Sequence, residues 1–276
     1  MFFKTLKVYI KMIAGVLYYT PRLKTAEKIN EEQGEVARIE YICDIANRWS
    51  AQRVKDIGAN LTVEGLENIP NDRPFVLIAN HQSNSDIFYL LGTIGRPISL
   101  VAKAELGKIP VLVRWLKAMG GLLMDRSDLR QSMQTILNGI KLVKQGISVG
   151  IFPEGTRNDG KHMLEFKGGS FKLATKTGAP ILPLTIEGTH RLMEDNNGWI
   201  KTTDIKLTYH PIIETKGMSK DEQNELPERV HKIIESALKE DDNIGKVIIT
   251  KEYIEKTGGP VIMMRGCPEL EEKSVI

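Results

Sequence analysis

The sequence predicts an α/β domain with a largely parallel central sheet flanked by helices, preceded by an N-terminal element of two amphipathic helices. Three observations carry this. Beyond Leu61, short apolar runs alternate with stretches of helical periodicity, the pattern of strands joined by crossover helices. The run Phe75-Val76-Leu77-Ile78-Ala79 is apolar throughout, as a strand buried inside a sheet is. The chain has 276 residues, 41% of them hydrophobic, which is enough for one substantial core without disulfides or a structural metal.

Composition excludes several classes. Lys+Arg 38 against Asp+Glu 35 gives a formal net charge of +3, too near neutral for a protein that coats nucleic acid, and no nucleic-acid partner is expected. The cysteines, Cys43 and Cys267, lie far apart with no Cys-x-x-Cys or Cys/His spacing. That fits a reducing compartment and argues against a disulfide framework or a zinc site.

The N-terminus concentrates basic charge. Lys4, Lys7, Lys11, Arg22 and Lys24 precede the first acidic residue, Glu27. On a helix advancing about 100° per residue, Lys4, Lys7 and Lys11 form one stripe, and Phe3, Leu6, Tyr9, Ile10, Ile13, Val16 and Leu17 cover the remaining sides. The uncharged stretch at residues 12–20 is shorter than the roughly 18–20 residues that cross a bilayer, and Pro21 interrupts it. Three readings follow: a helix lying in the headgroup region, a signal peptide, or a helix packed on the protein. The interfacial reading uses the lysines and the aromatic residues together, and the small-x-small cleavage site of a signal peptide is missing. An anionic membrane surface is therefore an expected partner. A second amphipathic helix places Val36, Ile39, Ile42, Trp49 and Ile57 at helical spacing, and packing on the core explains it equally well. Gly58 and Asn60 close it. The expected organisation is residues 1–58 as this anchor, 59–240 as the α/β domain, and 241–276 as a tail of unknown role, in which residues 246–249 and 261–264 read as short strands.

The body follows in order. The strand at residues 75–79 meets Asn80-His81-Gln82-Ser83-Asn84-Ser85-Asp86, then a helix at residues 87–93. A second strand, 98–102, runs into Lys103 and a helix opened by Pro110. A short third, 121–124, meets Asp125-Arg126. Ser127 or Asp128 then caps a helix whose buried face is read as Leu129, Met133, Ile136, Leu137, Ile140 and Val143. A fourth, 148–152, gives way to Pro153-Glu154-Gly155-Thr156-Arg157. A helix at 171–176, strands at 181–186 and 205–209, and a helix at 227–239 complete the domain.

Ligands of open α/β sheets bind outside the carboxyl ends of strands. Here four successive ends supply His81 with Asp86, Lys103, Asp125-Arg126, and Glu154 through Arg157. Each alone is an ordinary polar turn; their convergence is the functional signal. His81 and Asp86 are five residues apart, about 140° around a continuous helix, so they pair only if a turn folds the carboxylate back onto the imidazole. One ring nitrogen would then be held and the other left to accept a proton. No G-x-S-x-G elbow or exposed cysteine motif offers a nucleophile, so a covalent enzyme intermediate is not expected. Residues 150–157 echo a phosphate-binding loop, but Arg157 stands where Ser or Thr should follow a lysine, and Glu154 would repel nucleotide phosphates. Arg157, Lys103 and Arg126 can still form a cationic pocket for a phosphate monoester.

The segments Asn80-His81-x4-Asp86, Gly120-x-x-Leu123-Met124-Asp125-Arg126, Phe152-Pro153-Glu154-Gly155-Thr156-Arg157 and Ile181-Leu182-Pro183-Leu184 occur in a known order. Over residues 60–215 the chain resembles the glycerolipid acyltransferase family, in particular its 1-acylglycerol-3-phosphate acyltransferases. The resemblance implies His81 as general base, Asp86 as its orienting partner, Lys103 and Arg157 as phosphate ligands, and Arg126, Glu154, Gly155 and Thr156 at the acceptor site. It implies acyl transfer to the sn-2 hydroxyl of lysophosphatidic acid from a thioester on coenzyme A or acyl carrier protein, with no bound cofactor and no metal. It also implies an enzyme seated on the cytoplasmic face of the cell membrane as a peripheral or monotopic protein. Leu123 departs from the family, standing where an aromatic residue is common. The alternatives are another acceptor (glycerol 3-phosphate, another lysophospholipid or a lyso-aminolipid) and a lipid-binding protein without turnover.

Overall fold

A computed structural model describes residues 1–160 and 162–238. The expected tail at 241–276, with its two short strands, lies outside the described residues.

Among the described residues, seven strands form one sheet in the order β1-β7-β6-β2-β5-β3-β4: β1 (Asn60–Glu64), β2 (Val76–Ala79), β3 (Ile98–Lys103), β4 (Leu122–Met124), β5 (Ser148–Ile151), β6 (Ile181–Glu187) and β7 (Asp204–Tyr209). Strands β6, β2, β5, β3 and β4 run parallel to one another. Strand β7 lies antiparallel to β6 and carries β1 parallel to itself at the edge. The reversal follows from the connection at residues 188–203, which holds only short 3-10 turns and no crossover helix, so the chain simply doubles back. The sheet is thus largely parallel, as expected, with one antiparallel pair that the sequence pattern does not reveal.

Helices α4 (Asp86–Thr93) and α5 (Pro110–Ala118) carry the chain from β2 out to β3 and β4, whereas α6 (Leu129–Lys144) and α7 (Lys172–Thr175) bring it back to β5 and β6. Right-handed crossovers place outward and returning helices on opposite faces. Neighbouring strands β2 and β5 therefore send their chains in opposite directions, and a crevice opens between their carboxyl ends. All four residues of each strand are buried, so the crevice stands on the buried centre of the sheet.

Three helices, not two, precede the sheet: α1 (Phe2–Tyr19), α2 (Arg22–Gln33) and α3 (Glu35–Ile57). Helix α2 escapes a periodicity reading because only Leu23 and Ala26 are buried. Helix α3 belongs to the core. Its Ile39, Ile42, Cys43, Ile45, Val54 and Ile57 are buried, it packs on α4, and Gly58 ends it in the left-handed region at φ 63. The Cys43 thiol is pushed up to about 12 by burial, which leaves it without thiolate chemistry.

Helix α6 departs from its expected face. Leu129, Met133 and Leu137 are exposed, and the buried side is Thr135, Ile136, Gly139, Leu142 and Val143. The helix is rolled toward its small residues. A Cβ on Gly139 would lie 2.5 Å from Leu173 Cδ2, so glycine there permits the close approach, while Thr135 Oγ1 donates to Leu123 O at 2.9 Å. Gln131 also donates to Leu123 O at 2.9 Å and accepts from Asp125 N at 2.6 Å, so α6 satisfies the edge strand β4 and fixes the Asp125-Arg126 turn. Asp128 is the cap, accepting from Arg130 N and Gln131 N. The last helix among the described residues, α8 (Lys220–Ser236), starts before its expected position, on a capping box of Ser219 and Glu222, with Pro227 inside it.

Candidate active site

The site is built on the end of β2. Asn80, fully buried, accepts from Ile186 N and donates to Ile186 O, both at 2.8 Å, so its side chain prolongs the β2–β6 pairing by one unit. His81 leaves the strand immediately after this clamp. The tight turn at residues 82–85 then returns the chain, and Asp86 opens α4. Asp86 Oδ2 accepts from His81 Nδ1 at 2.7 Å, Gln82 N at 2.8 Å and Ser83 N at 3.0 Å. The expected fold-back of the carboxylate onto the imidazole is present. Asp86 is fully buried and acceptor-only when ionised, so it selects the Nδ1–H tautomer of His81 and leaves Nε2 as an acceptor. The His81 side chain retains 18% exposure, and its ring stacks on Phe152 at 4.3 Å.

Glu154, on the loop after β5, reaches across the crevice rather than facing a ligand. Its Oε1 accepts from His81 N at 2.8 Å and Asn158 Nδ2 at 2.9 Å; its Oε2 accepts from Asn158 Nδ2 at 3.0 Å and Leu164 N at 2.8 Å. Asn158 N donates in turn to His81 O at 2.7 Å. The backbone of His81 is thus held on both sides by the β5 loop. Burial pushes the Glu154 carboxyl up, and its hydrogen-bond donors pull against that shift.

Arg157 is joined to the same turn through Glu194, whose Oε1 takes Arg157 Nη1 at 3.0 Å and Asn84 N at 3.1 Å. Sequence reasoning missed Glu194, which lies in a polar stretch without periodicity; only the return of the chain after β6 brings it here. Gly155, at φ 82, lies beneath two basic side chains: a Cβ there would meet Lys167 Nζ at 2.9 Å and Arg126 Cδ at 3.6 Å. Thr156 is exposed. Lys103 pairs with Glu105 at 3.1 Å, with both side chains exposed, and Asp125 is held below the usual carboxylate range by hydrogen bonds from Ser127. Neither makes a contact with His81 or Asp86 among the described residues. The structure therefore brings His81, Asp86, Glu154 and Arg157 into one hydrogen-bonded unit and sets Arg126 beside Gly155, while Lys103 is held by Glu105.

No group of His, Cys, Asp and Glu that could hold a metal ion occurs among the described residues. A histidine with a tethered Nδ1 and an available Nε2, at a crevice with cations on the opposite strand end, can deprotonate a hydroxyl on an anionic ligand.

Glu154→Gln tests the bridge. Both carboxylate oxygens accept from backbone N–H groups, so either orientation of the amide sets an NH2 against one of them. The expected cost is about 1–3 kcal/mol in denaturant unfolding, with reduced turnover; unchanged stability would contradict the acceptor role. The folded carboxyl also holds its proton more tightly than the unfolded chain does, so wild-type stability from this group is lost as pH rises through its raised value, a slope the variant should lack.

A family model described as Acyltransferase matches residues 60–187. The chain is 34% identical over 169 residues to the 1-acyl-sn-glycerol-3-phosphate acyltransferase of Borreliella burgdorferi, covering 61% of this chain and 68% of that one. It is 37% identical over 157 residues to the chloroplastic 1-acyl-sn-glycerol-3-phosphate acyltransferase BAT2 of Brassica napus, spanning 56% of this chain but only 45% of that relative. The crystal structure of the 1-acyl-sn-glycerophosphate acyltransferase PlsC from Thermotoga maritima superposes with a TM-score of 0.73 at 29% identity, covering 86% of this chain and 94% of that one. Together with the parallel sheet and the placement of its motifs at the strand ends, these likenesses show that the chain belongs to the acyltransferase family that includes the 1-acyl-sn-glycerol-3-phosphate acyltransferases.

Proposed function

We propose that this protein transfers a fatty acyl group from a thioester of coenzyme A or acyl carrier protein to the sn-2 hydroxyl of lysophosphatidic acid, giving phosphatidic acid. The observation that carries the reading is the His81–Asp86 contact at 2.7 Å, within a chain whose relatives bear that activity in their names. Asp86 holds Nδ1–H, and Nε2 takes the proton of the acceptor hydroxyl as its oxygen attacks the thioester carbonyl. The C–O bond forms, the tetrahedral intermediate collapses with loss of the C–S bond, and the proton on Nε2 passes to the departing thiolate. No protein nucleophile and no resident cofactor enters this scheme. Arg157 and Lys103 bind the acceptor phosphate. Each exchanges a carboxylate partner, Glu194 or Glu105, for the phosphate, and the bidentate fork of Arg157 suits the monoester.

His81→Ala should lower kcat by about 10²–10⁴ in a thiol-release assay with lysophosphatidic acid, with the fold intact by circular dichroism. Undiminished turnover in the folded variant would remove His81 from the mechanism. The same assay with glycerol 3-phosphate distinguishes the alternative acceptor.

The N-terminal helix is read as an interfacial anchor. Helix α1 turns Phe2, Phe3, Leu6, Ile10, Ile13, Leu17 and Tyr18 outward, while Thr5 and Val8 face the protein. No helix among the described residues is long and apolar enough to cross a membrane. The lysine stripe is directed differently from the sequence reading: Lys4 donates to Thr202 Oγ1 and Lys11 pairs with Asp56, so both help to seat the helix on the body. Apolar insertion then carries most of the attraction, with Lys7 left on the exposed side. Phe3→Glu, Ile10→Glu and Ile13→Glu combined should reduce sedimentation with anionic phospholipid vesicles at least about tenfold. Unchanged partitioning would exclude α1 as the anchor.

A further inference from the structure

The cations near the crevice differ in what they already hold. Arg157 is paired with Glu194, and Lys103 with Glu105. Arg126 and Lys167 form no ion pair or side-chain hydrogen bond among the described residues, yet both pass over Gly155, the residue beside Glu154. A Cβ on Gly155 would lie 2.9 Å from Lys167 Nζ, which fixes the ammonium within van der Waals reach of the motif backbone. Its root is tied to the same loop: Lys167 N donates to Pro153 O at 3.1 Å, and Lys167 O accepts from Ser170 N at 3.0 Å. On one side Phe166 is buried and packs against Phe171 and His231, so the stem starts from an anchored position although the residue itself is exposed. Half-buried Arg126 is held by the β4 turn, and burial pulls its guanidinium down, an unfavourable placement that a bound anion would offset.

We propose that Lys167 is a further phosphate-binding residue, whose ammonium joins the Arg126 guanidinium in gripping an anionic phosphate over Gly155. The inference rests on the acyltransferase reading and extends it. Lysine supplies a compact point charge beside the planar guanidinium, so the pair neutralises a dianionic monoester better than either cation alone. Two sources share that chemistry, the acceptor's phosphate monoester and the phosphates of a coenzyme A donor.

The test compares wild type, Lys167→Ala and Lys167→Arg with lysophosphatidic acid and acyl-coenzyme A varied separately, and titrates glycerol 3-phosphate calorimetrically. Lys167→Ala should raise one KM about tenfold or more, with kcat changed little, and Lys167→Arg should restore it. A rise confined to the lysophosphatidic acid KM, with weaker glycerol 3-phosphate binding, assigns the acceptor phosphate; a rise confined to the acyl-coenzyme A KM assigns the donor. Unchanged KM values and unchanged glycerol 3-phosphate binding overturn the proposal. If wild type turns over neither substrate pair but Lys167→Ala still weakens glycerol 3-phosphate binding, the acyltransferase reading fails and the phosphate site stands.

Discussion

One carboxylate oxygen organises this site. Asp86 Oδ2 gathers the His81 imidazole and the backbone N–H groups of Gln82 and Ser83, and so closes the turn between β2 and α4 while aiming the ring. Asp86 has no solvent exposure, so its charge is compensated by these donors and by the helix N-terminus behind it rather than by water. Removing the charge would loosen the turn and the ring together. That double dependence is why a motif of only two side chains can define a site.

The topology gives that turn its neighbours. At the switch between β2 and β5, the loop after β5 reaches the turn through Glu154 and Asn158, and the chain after β6 reaches it through Glu194. Asn80 locks the base of the turn to β6 through two hydrogen bonds to Ile186. The histidine is therefore positioned by three strands of a buried sheet, and no mobile lid is required to assemble it. On the proposed mechanism, such preorganisation would let the imidazole meet the acceptor hydroxyl without reorganisation at the moment of transfer.

Much of this was legible in the sequence because it depends on local rules. Apolar runs mark β2 through β6, and the polar residues at the four strand ends follow from the sheet's direction. The fold-back of Asp86 follows from a spacing that a continuous helix could not use. Other features depend on geometry that no local pattern encodes. Helix α2 buries too few residues to show a period, and α6 is rolled onto Thr135 and Gly139 so that Leu129, Met133 and Leu137 of its expected apolar stripe face outward while Ile136 and Val143 stay buried. Glu154 looked like a ligand-facing acid but is an internal brace, since three donors make four hydrogen bonds to its oxygens. Glu194 and Lys167 reach the site through turns whose direction is set only by the finished sheet.

In the proposed mechanism, Asp86 works by holding His81 in one tautomer with Nε2 available. The most direct measurement is the kcat and KM of Asp86→Asn with lysophosphatidic acid and a thioester donor, alongside circular dichroism. A fall in kcat of about 10²–10⁴ in a folded variant, with KM little changed, is the predicted result. A kcat within about threefold of wild type would contradict it.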